Sequence, residues 1–395
     1  MSTIKDQAGR WCPQSLGRSL LEFARCHPRW AWRPSVIARI GLALAILAGL
    51  CAGPAFAAGT DDDIFPGKTW AVRPPEELGL SRSKLEALRG LVGGRGCVVR
   101  HGFMAFTWGD PTRSADVASA LKPVVTTLLF LAVQDGRLPG VDAPVADFEP
   151  RLRTLNHGKD ATITWRNFAM QTSGYGLVES PGQAYAYNDY ALALYYDTLT
   201  QQVFRQSGTG LLRTRLAEPL GFEDSFTFNA FGPSDRPGRL AVSVRDFARF
   251  GLLYLRNGRW RGRQLLRPEF VQMATHSPLP AATPVTSGRE ADMLPGQRSI
   301  GGSRNITPVG PGYYSFNWWL NGTNRPGQRL YVDAPADLYV ASGHGGIRCL
   351  WIVPSLDLVV SWNDAQVEDH DQSPGHAGTR CNQAARLMRE AVVAP

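Results

Sequence analysis

The chain has 395 residues, of which 44% are hydrophobic and 19% are charged, which excludes an intrinsically disordered protein and a chain that lies wholly in the membrane. The formal net charge is +8, but residues 1–58 carry seven basic and two acidic side chains, so residues 59–395 keep only +3. That bias is too weak to indicate a nucleic-acid-binding protein.

The first 58 residues have the pattern of a secretory signal peptide. Six arginines and Lys5 precede the apolar run Ile40–Leu50, and Ala55-Phe56-Ala57 supplies a small-x-small cleavage site. We expect cleavage near residue 57 or 58 and a periplasmic or secreted protein. An uncleaved membrane anchor and a lipoprotein anchored through Cys51 are the alternatives.

Two elements are predicted next along the chain. Leucines recur at helical spacing at positions 85, 88 and 91, and Ser81 is a candidate N-cap, so a helix is expected to begin there. Residues 96–109 contain two β-rich runs around His101-Gly102, which predicts a hairpin.

From Ser119 to about Ala274 the pattern is mostly helical. A first helix is predicted from apolar residues at positions 121, 124, 125, 128, 129, 132 and 133, and it ends at Asp135-Gly136. A second is predicted over Asp246–Leu255. Residues 276–312 are rich in Pro, Gly, Ser and Thr and predict a long surface loop.

After residue 312 the pattern favours strands again. They are expected over Tyr314–Leu320, Leu338–Ser342 and Arg348–Trp362, the last broken at Pro354-Ser355, and a helix is expected over about 382–392. This order predicts an α+β fold within residues 59–395. An antiparallel sheet from about 64–118 and 313–395, flanked by terminal helices, would face a helical lobe at about 119–312, with the active site in the cleft between them.

Ser119 and Lys122 are the first candidates for chemistry. Residues three apart share a helix face, so the amine can reach the hydroxyl while apolar neighbours exclude water. Desolvation lowers the pKa of a lysine and makes it a usable base, which an arginine cannot become. The same Ser-x-x-Lys spacing also occurs at 2–5 and 81–84. Alone, therefore, it equally describes an ordinary capped and buried helix.

Two further segments complete a pattern. Tyr187-Asn188-Asp189 comes just before an apolar helix, and residues 342–346, Ser-Gly-His-Gly-Gly, lie between two strand-like runs, as if at a sheet edge. With Ser-x-x-Lys before them, the chain resembles the serine β-lactamase and penicillin-binding protein superfamily. The resemblance is to the branch of class C β-lactamases and their esterase relatives, and it covers about residues 65–392.

The resemblance implies an acyl-enzyme mechanism without metal or cofactor. Ser119 would be the acylated nucleophile, Lys122 its base, and Tyr187 the group that moves protons to the leaving group and from water. The backbone N–H groups of Ser119 and Ile347 would form the oxyanion hole. The implied substrate is a small ester or amide, or a short peptide.

Residues of the tyrosine motif and of the strand motif bear on substrate specificity. Asp189 stands where the family usually has asparagine, and an ionised carboxylate cannot donate to a substrate carbonyl. His344 replaces the usual lysine, which removes a permanent charge that would hold a substrate carboxylate. Both differences favour an esterase or amidase that acts on uncharged acyl groups. Gly345 and Gly346 would let substrate approach the strand closely.

Other functions stay open. A D-peptidase or a weak β-lactamase is one alternative, and a non-catalytic protein that binds cell wall or a ligand is another. No serine lies in a Gly-x-Ser-x-Gly elbow, and the acidic and histidine residues at 368–376 predict a solvated loop and not a metal site. We expect no nucleic-acid partner and membrane contact only through an uncleaved leader, and the oligomeric state is not determined by the sequence.

Three cysteines follow the leader: Cys97, Cys349 and Cys381. Their wide spacing predicts neither a zinc site nor a disulfide scaffold, although export would permit one bridge. Cys349–Cys381 is the first pair to test.

Overall fold

The computed structural model describes residues 63–229, 239–297, 304, 309–322, 328–367 and 379–393. The predicted leader and the segment 368–376 lie outside these ranges. Within them, no helix is both long enough and apolar enough to cross a bilayer.

The helices of the described chain include those predicted near both ends and in the centre. They are α1 (Arg82–Val92), α2 (Lys122–Gln134), α3 (Trp165–Ala169), α4 (Asp189–Asp197), α5 (Gly208–Leu212), α6 (Glu218–Leu220), α7 (Val244–Leu255), α8 (Pro268–His276) and α9 (Arg380–Ala391). The four predicted helices correspond to α1, α2, α7 and α9 and are confirmed. Ser81 does precede α1, but its hydroxyl contacts Ser83 Oγ at 3.0 Å and makes no cap hydrogen bond, so that detail was wrong.

The strands lie mainly at the two ends of the described chain. They are β1 (Arg95–Arg100), β2 (Phe103–Trp108), β3 (Ala115–Asp116), β4 (Thr227–Phe228), β5 (Leu240–Val242), β6 (Arg259–Trp260), β7 (Arg263–Gln264), β8 (Tyr314–Ser315), β9 (Trp318–Leu320), β10 (Tyr339–Gly343), β11 (Arg348–Val353) and β12 (Leu358–Asn363). The predicted hairpin is β1–β2, with His101 and Gly102 in the left-handed region at its turn.

A seven-stranded sheet of order β2-β1-β12-β11-β10-β9-β8 is the centre of the fold. Its neighbouring strands pair antiparallel, and Val98 of β1 lies opposite Val360 of β12. Strands from distant parts of the chain therefore complete one sheet, as the α+β prediction required. These strands carry runs of buried residues, and β12 is buried along its whole length.

Two packing contacts involve the helices: α1 packs on α9, and α7 packs on the sheet. The terminal helices α1 and α9 pack on each other, and the Ser81 N–H, just before α1, donates to the Ala391 carbonyl at 2.7 Å. On the sheet itself lies α7, where Gly251 allows close approach: a Cβ atom there would be 2.7 Å from Val359 and 2.9 Å from Leu350. The predicted helical lobe thus includes a helix that is packed directly on the sheet.

The region predicted as one strand over Tyr314–Leu320 is two short strands. Phe316 and Asn317 have φ angles of 43° and 70° and turn the chain between β8 and β9. An aromatic residue rarely adopts the left-handed region, so Phe316 masked the turn in the sequence pattern.

The predicted loop after α8 is confirmed for residues 277–297, which contain no helix or strand. It is tied to the segment 177–185 by isolated backbone bridges, Leu177 with Glu290 and Tyr185 with Val285. Glu179 adds a side-chain link because it accepts from the Ser287 N–H at 2.7 Å. This loop therefore runs along the segment that leads into Tyr187.

Candidate active site

Ser119 lies in a 3₁₀ turn, Ala118–Leu121, that runs directly into α2. Ala118 has a φ of 49°, and its N–H donates to the Asp116 carboxylate at 2.8 Å. The turn places Ser119 at the head of a mostly buried helix. The serine itself is partly exposed, so its hydroxyl is accessible to a substrate.

The amine of Lys122 reaches back to this serine. Lys122 Nζ donates to Ser119 Oγ at 2.8 Å, although the lysine is only 1% exposed. Burial disfavours the charged form of an amine unless a partner compensates. The hydroxyl and the amine thus meet where the lysine is shielded from water, as the Ser-x-x-Lys interpretation requires.

Tyr187 forms an aromatic wall beside the pair. Lys122 Nζ lies over its ring, 4.3 Å from the centroid, a position in which the ring face attracts an ammonium group. The Tyr187 ring stacks on Trp319 and meets the edge of Tyr314, each at a centroid distance of 6.0 Å. These contacts fix the plane of the ring, and all three aromatic residues are buried.

Asp189, predicted to face the substrate, contacts Lys122 in the structure. Its Oδ1 lies 3.4 Å from Lys122 Nζ, and its side chain is 6% exposed. Removing one partner from a buried ion pair leaves an uncompensated charge. Asp189 is therefore the acidic partner that compensates the burial of the Lys122 side chain.

Asn317 is a site residue that the sequence analysis did not identify. Its Nδ2 donates to the Lys122 carbonyl at 3.2 Å, and its Oδ1 accepts from the Tyr314 hydroxyl at 3.1 Å. Burial raises the pKa of Tyr314 well above its usual value, with a further contribution from Tyr187, so this hydroxyl keeps its proton and stays a donor. The available signal was an asparagine between Phe316 and Trp318 in an aromatic, strand-like run. Asparagine tolerates the left-handed conformation, so it marks a turn there.

The strand motif reaches the serine at the end of β10. A Cβ atom on Gly343 would lie 2.4 Å from the Val117 carbonyl oxygen and 3.2 Å from the Ser119 nitrogen, so only glycine permits this approach. β10 is an interior strand and not the predicted sheet edge. However, β9 pairs only with Tyr339 and Val340, and the end of β10 faces the serine turn instead.

The turn after β10 differs from the predicted oxyanion hole. His344 is exposed with a φ of 50°, and the Ile347 N–H donates to the His344 carbonyl at 3.2 Å. That bond closes the turn and occupies the donor assigned to the oxyanion. Gly345 continues the turn with a φ of 61°. A Cβ atom on Gly346 would lie 2.5 Å from Cys381 Sγ, so this glycine is explained by packing and not by access for substrate.

The sequence model of the β-lactamase family matches residues 87–363, which is more than half of the chain. The chain belongs to the β-lactamase family. The match includes Ser119, Lys122, Tyr187 and the β10–β11 turn. Together with the hydrolases among the similar solved structures, it supports a serine hydrolase in general terms.

Solved structures agree with the β-lactamase-family fold at low sequence identity. EstCE1, described as a hydrolase with promiscuous acyltransferase activity, has a TM-score of 0.55 and 15% identity over 79% of this chain and 99% of its own. A penicillin-binding protein homologue from Caulobacter crescentus gives 0.54 and 15% over 79% and 99%. A β-lactamase from Mycobacterium bovis gives 0.53 and 18% over 78% and 99%. A comparison with curated proteins found no match.

The possible metal ligands and the cysteines of this β-lactamase-family chain can also be assessed in the structure. In the described ranges no three His, Cys, Asp or Glu side chains come together as metal ligands. Cys97, Cys349 and Cys381 are buried, and the pair suggested for a disulfide, Cys349–Cys381, is not bonded. Burial raises the pKa of the Cys349 thiol to about 12, which makes it a poor nucleophile.

Proposed function

We propose that the protein cleaves esters or amides of uncharged acyl groups through a covalent acyl-enzyme on Ser119. The observation that carries the proposal is the 2.8 Å contact between Lys122 Nζ and Ser119 Oγ, made by an amine that is 1% exposed. A serine hydroxyl is a weak nucleophile until an adjacent base takes its proton. Lys122 is the group placed to do so.

The proposed reaction has two halves. Ser119 Oγ attacks the acyl carbon, its proton passes to the neutral amine of Lys122, and the bond to the leaving group breaks. Asp189 Oδ1, 3.4 Å from the amine, orients the amine beside Ser119. Tyr187 then protonates the leaving alkoxide or amine. In the second half a water molecule loses a proton to Tyr187 and attacks the acyl carbon, and the bond to Ser119 Oγ breaks as Lys122 returns its proton to this oxygen, which frees Ser119 and the acid.

The oxyanion formed in each half needs backbone donors. The Ser119 N–H is one candidate, and the Ile347 N–H, at the end of the turn that follows residue 343, is the other, because residue 343 contacts the Ser119 turn. The Ile347 N–H would first have to leave the His344 carbonyl.

The preference for an uncharged acyl group rests on the charges around the site. Asp189 adds a carboxylate beside Lys122, and His344 supplies no permanent positive charge at the strand motif. The wall of Tyr187, Trp319 and Tyr314 is aromatic. A substrate carboxylate would be repelled by Asp189 and would find no permanent positive charge at residue 344, whereas an uncharged acyl group would not be repelled.

The test is a panel of p-nitrophenyl esters and anilides with neutral, acidic and basic acyl groups, given to the purified protein and to Ser119→Ala. The proposal expects turnover of neutral acyl groups by the wild type alone, with a burst of p-nitrophenol that matches the enzyme concentration. Equal rates for the two proteins would show that Ser119 is not the nucleophile.

A D-peptidase or weak β-lactamase is the second candidate, since the M. bovis protein is named a β-lactamase and the C. crescentus protein a penicillin-binding protein homologue. A slowly hydrolysed adduct with fluorescent penicillin, blocked by peptides that end in D-alanine, would favour it. A non-catalytic binder would give no covalent adduct with a fluorophosphonate probe. Acyl transfer to an added alcohol is a further outcome to measure, because EstCE1 is described with such activity.

We also propose export, on the basic flank, apolar run and small-x-small site within residues 1–58. Expression of the full chain followed by N-terminal sequencing of the periplasmic fraction tests it. A mature terminus near residue 58 is expected, and full-length protein in the cytoplasm would contradict it.

A further inference from the structure

We propose that Gln171 is a positioning residue that holds the proton-transfer residue Tyr187 in place, an inference that rests on the proposed function. Two hydrogen bonds join Gln171 to the residues on either side of this tyrosine. The Ala186 N–H donates to the Gln171 carbonyl at 2.8 Å, and the Asn188 N–H donates to Gln171 Oε1 at 2.6 Å. The backbone at Tyr187 is thereby fixed before and after the residue.

Gln171 is itself held by a rigid element. It follows α3, and its N–H donates to the Phe168 carbonyl at 3.2 Å. The helix α3 begins with a reciprocal capping box between Thr164 and Asn167. Gln171 is 2% exposed. A residue fixed in this way can transmit the position of α3 to the segment that carries Tyr187.

The far side of the clamp is also fixed. Asn188 Nδ2 donates to the Tyr175 carbonyl at 2.8 Å, and its Oδ1 accepts from the N–H groups of Tyr190 and Ala191 at the start of α4. Asn188 therefore has its side chain committed to α4 and to the loop at Tyr175, and its backbone N–H committed to Gln171. Asn188 is also only 1% exposed, which assigns it to the support of Tyr187.

Two features of Gln171 argue against a role in packing alone. Its φ of 58° is left-handed, a conformation that asparagine or glycine adopts more readily. Its Nε2 is buried without a hydrogen-bond partner, which a methionine of similar shape would avoid. The one feature that glutamine adds is an oxygen at the distance needed to reach the Asn188 N–H.

Three variants of Gln171 distinguish the effect of its accepting oxygen from the effects of its side-chain shape and its left-handed backbone. Gln171→Met keeps the shape and removes the oxygen. Gln171→Glu keeps an accepting oxygen. Gln171→Asn suits the left-handed backbone better but is too short to reach the Asn188 N–H, so it keeps the test informative if the methionine variant does not fold.

The first readout is a double-mutant cycle with Tyr187→Phe in steady-state ester hydrolysis. Misplacement of a catalytic group by about 1 Å lowers rates by up to about 100-fold, so kcat should fall about 10- to 100-fold in Gln171→Met and Gln171→Asn with KM little changed. Gln171→Glu should retain most activity. In the Tyr187→Phe background the methionine substitution should have almost no further effect. Unchanged kcat in both Gln171→Met and Gln171→Asn, or a fully additive loss, would overturn the proposal.

The second readout does not need turnover. Tyrosines are replaced by 3-fluorotyrosine, and the ¹⁹F resonance of Tyr187 is assigned with Tyr187→Phe. The proposal expects this resonance to shift or broaden in Gln171→Met and Gln171→Asn but not in Gln171→Glu, and an unchanged resonance in the first two contradicts it. If the resonance responds while the wild type forms no fluorophosphonate adduct on Ser119, the proposed function fails and the positioning role stands.

Discussion

Gly343 at the end of β10 lies against the turn that carries Ser119, so close that a Cβ atom would come within 3.2 Å of the Ser119 nitrogen and 2.4 Å of the Val117 carbonyl oxygen. The strand and the nucleophile are therefore positioned by one backbone contact. This contact joins β10 to the 3₁₀ turn that precedes α2.

Gly343→Ala should move the strand away from the serine. Overpacking of this kind destabilises a protein by about 1–3 kcal/mol, and the displaced backbone should also lower kcat. Urea unfolding and ester kinetics measure the two effects. Gly90→Ala is the control: Gly90 is an exposed residue of α1 with nothing within 4 Å of the Cβ position, so alanine there should raise stability by about 0.5–1 kcal/mol and leave kcat unchanged.

Lys122→Arg should abolish ester turnover. Arginine keeps the positive charge but cannot give up its proton, so it cannot act as the base. We expect kcat to fall by at least about 100-fold, the lower end of what a general base contributes. The matched control is Lys84→Arg, where an ion pair of 2.5 Å with Glu390 explains the lysine, and full activity there is expected. Activity retained in Lys122→Arg would refute the base assignment.

Asp189→Asn should increase acylation by penicillins. The change removes a carboxylate beside Lys122 and supplies an amide that can donate to a substrate carbonyl. An effect of about 1.4 kcal/mol would be a tenfold faster reaction with fluorescent penicillin. Asp189→Ala separates the two causes, since it removes the charge without adding a donor. A penicillin reaction no faster in Asp189→Asn than in the wild type would show that Asp189 does not exclude carboxylate substrates.

The stability contributed by Asp357 should depend on pH. Burial opposes ionisation of this carboxyl, but the Arg256 guanidinium and His101 outweigh it and lower its pKa below 3.8. A lowered carboxyl pKa contributes stability above the unfolded value, and this contribution is lost as the pH falls through the folded value.

Asp357→Asn should therefore cost about 1–2 kcal/mol at pH 7 and progressively less below pH ~4. Asparagine also tolerates the left-handed φ of 46° at this position, which limits any backbone effect. Unfolding in urea at pH 7 and pH 3 gives the comparison. Glu76→Gln, at an exposed pair with Arg82, should change nothing measurable. A cost for Asp357→Asn that is the same at both pH values would show that charge is not the cause.

Local signals in the sequence predicted most of the sheet and the Ser119-Lys122 pair. The pair follows from helical spacing, and the β1–β2 hairpin from a His-Gly turn between β-rich runs. The residues that sequence missed act across long separations. Asn317 contacts Lys122 from 195 residues away, and no periodicity reports such a contact.

The turn after β10 shows a second limit. His344, Gly345 and Gly346 were visible as a motif, but the hydrogen bond that commits the Ile347 N–H to His344 depends on three successive left-handed residues. Sequence suggests that glycine permits such angles and does not say that histidine will adopt one. The Lys122–Asp189 contact was missed for a different reason: the family pattern indicated that Asp189 faces the substrate.

The account depends on the buried amine of Lys122 activating Ser119. The most direct measurement is the rate of fluorophosphonate labelling, followed by intact mass and peptide mapping, in wild type, Lys122→Arg and Ser119→Ala. We predict one adduct per wild-type chain on Ser119, labelling slower by at least about 100-fold in Lys122→Arg, and none in Ser119→Ala. An adduct on another residue, or equal labelling rates in wild type and Lys122→Arg, would contradict it.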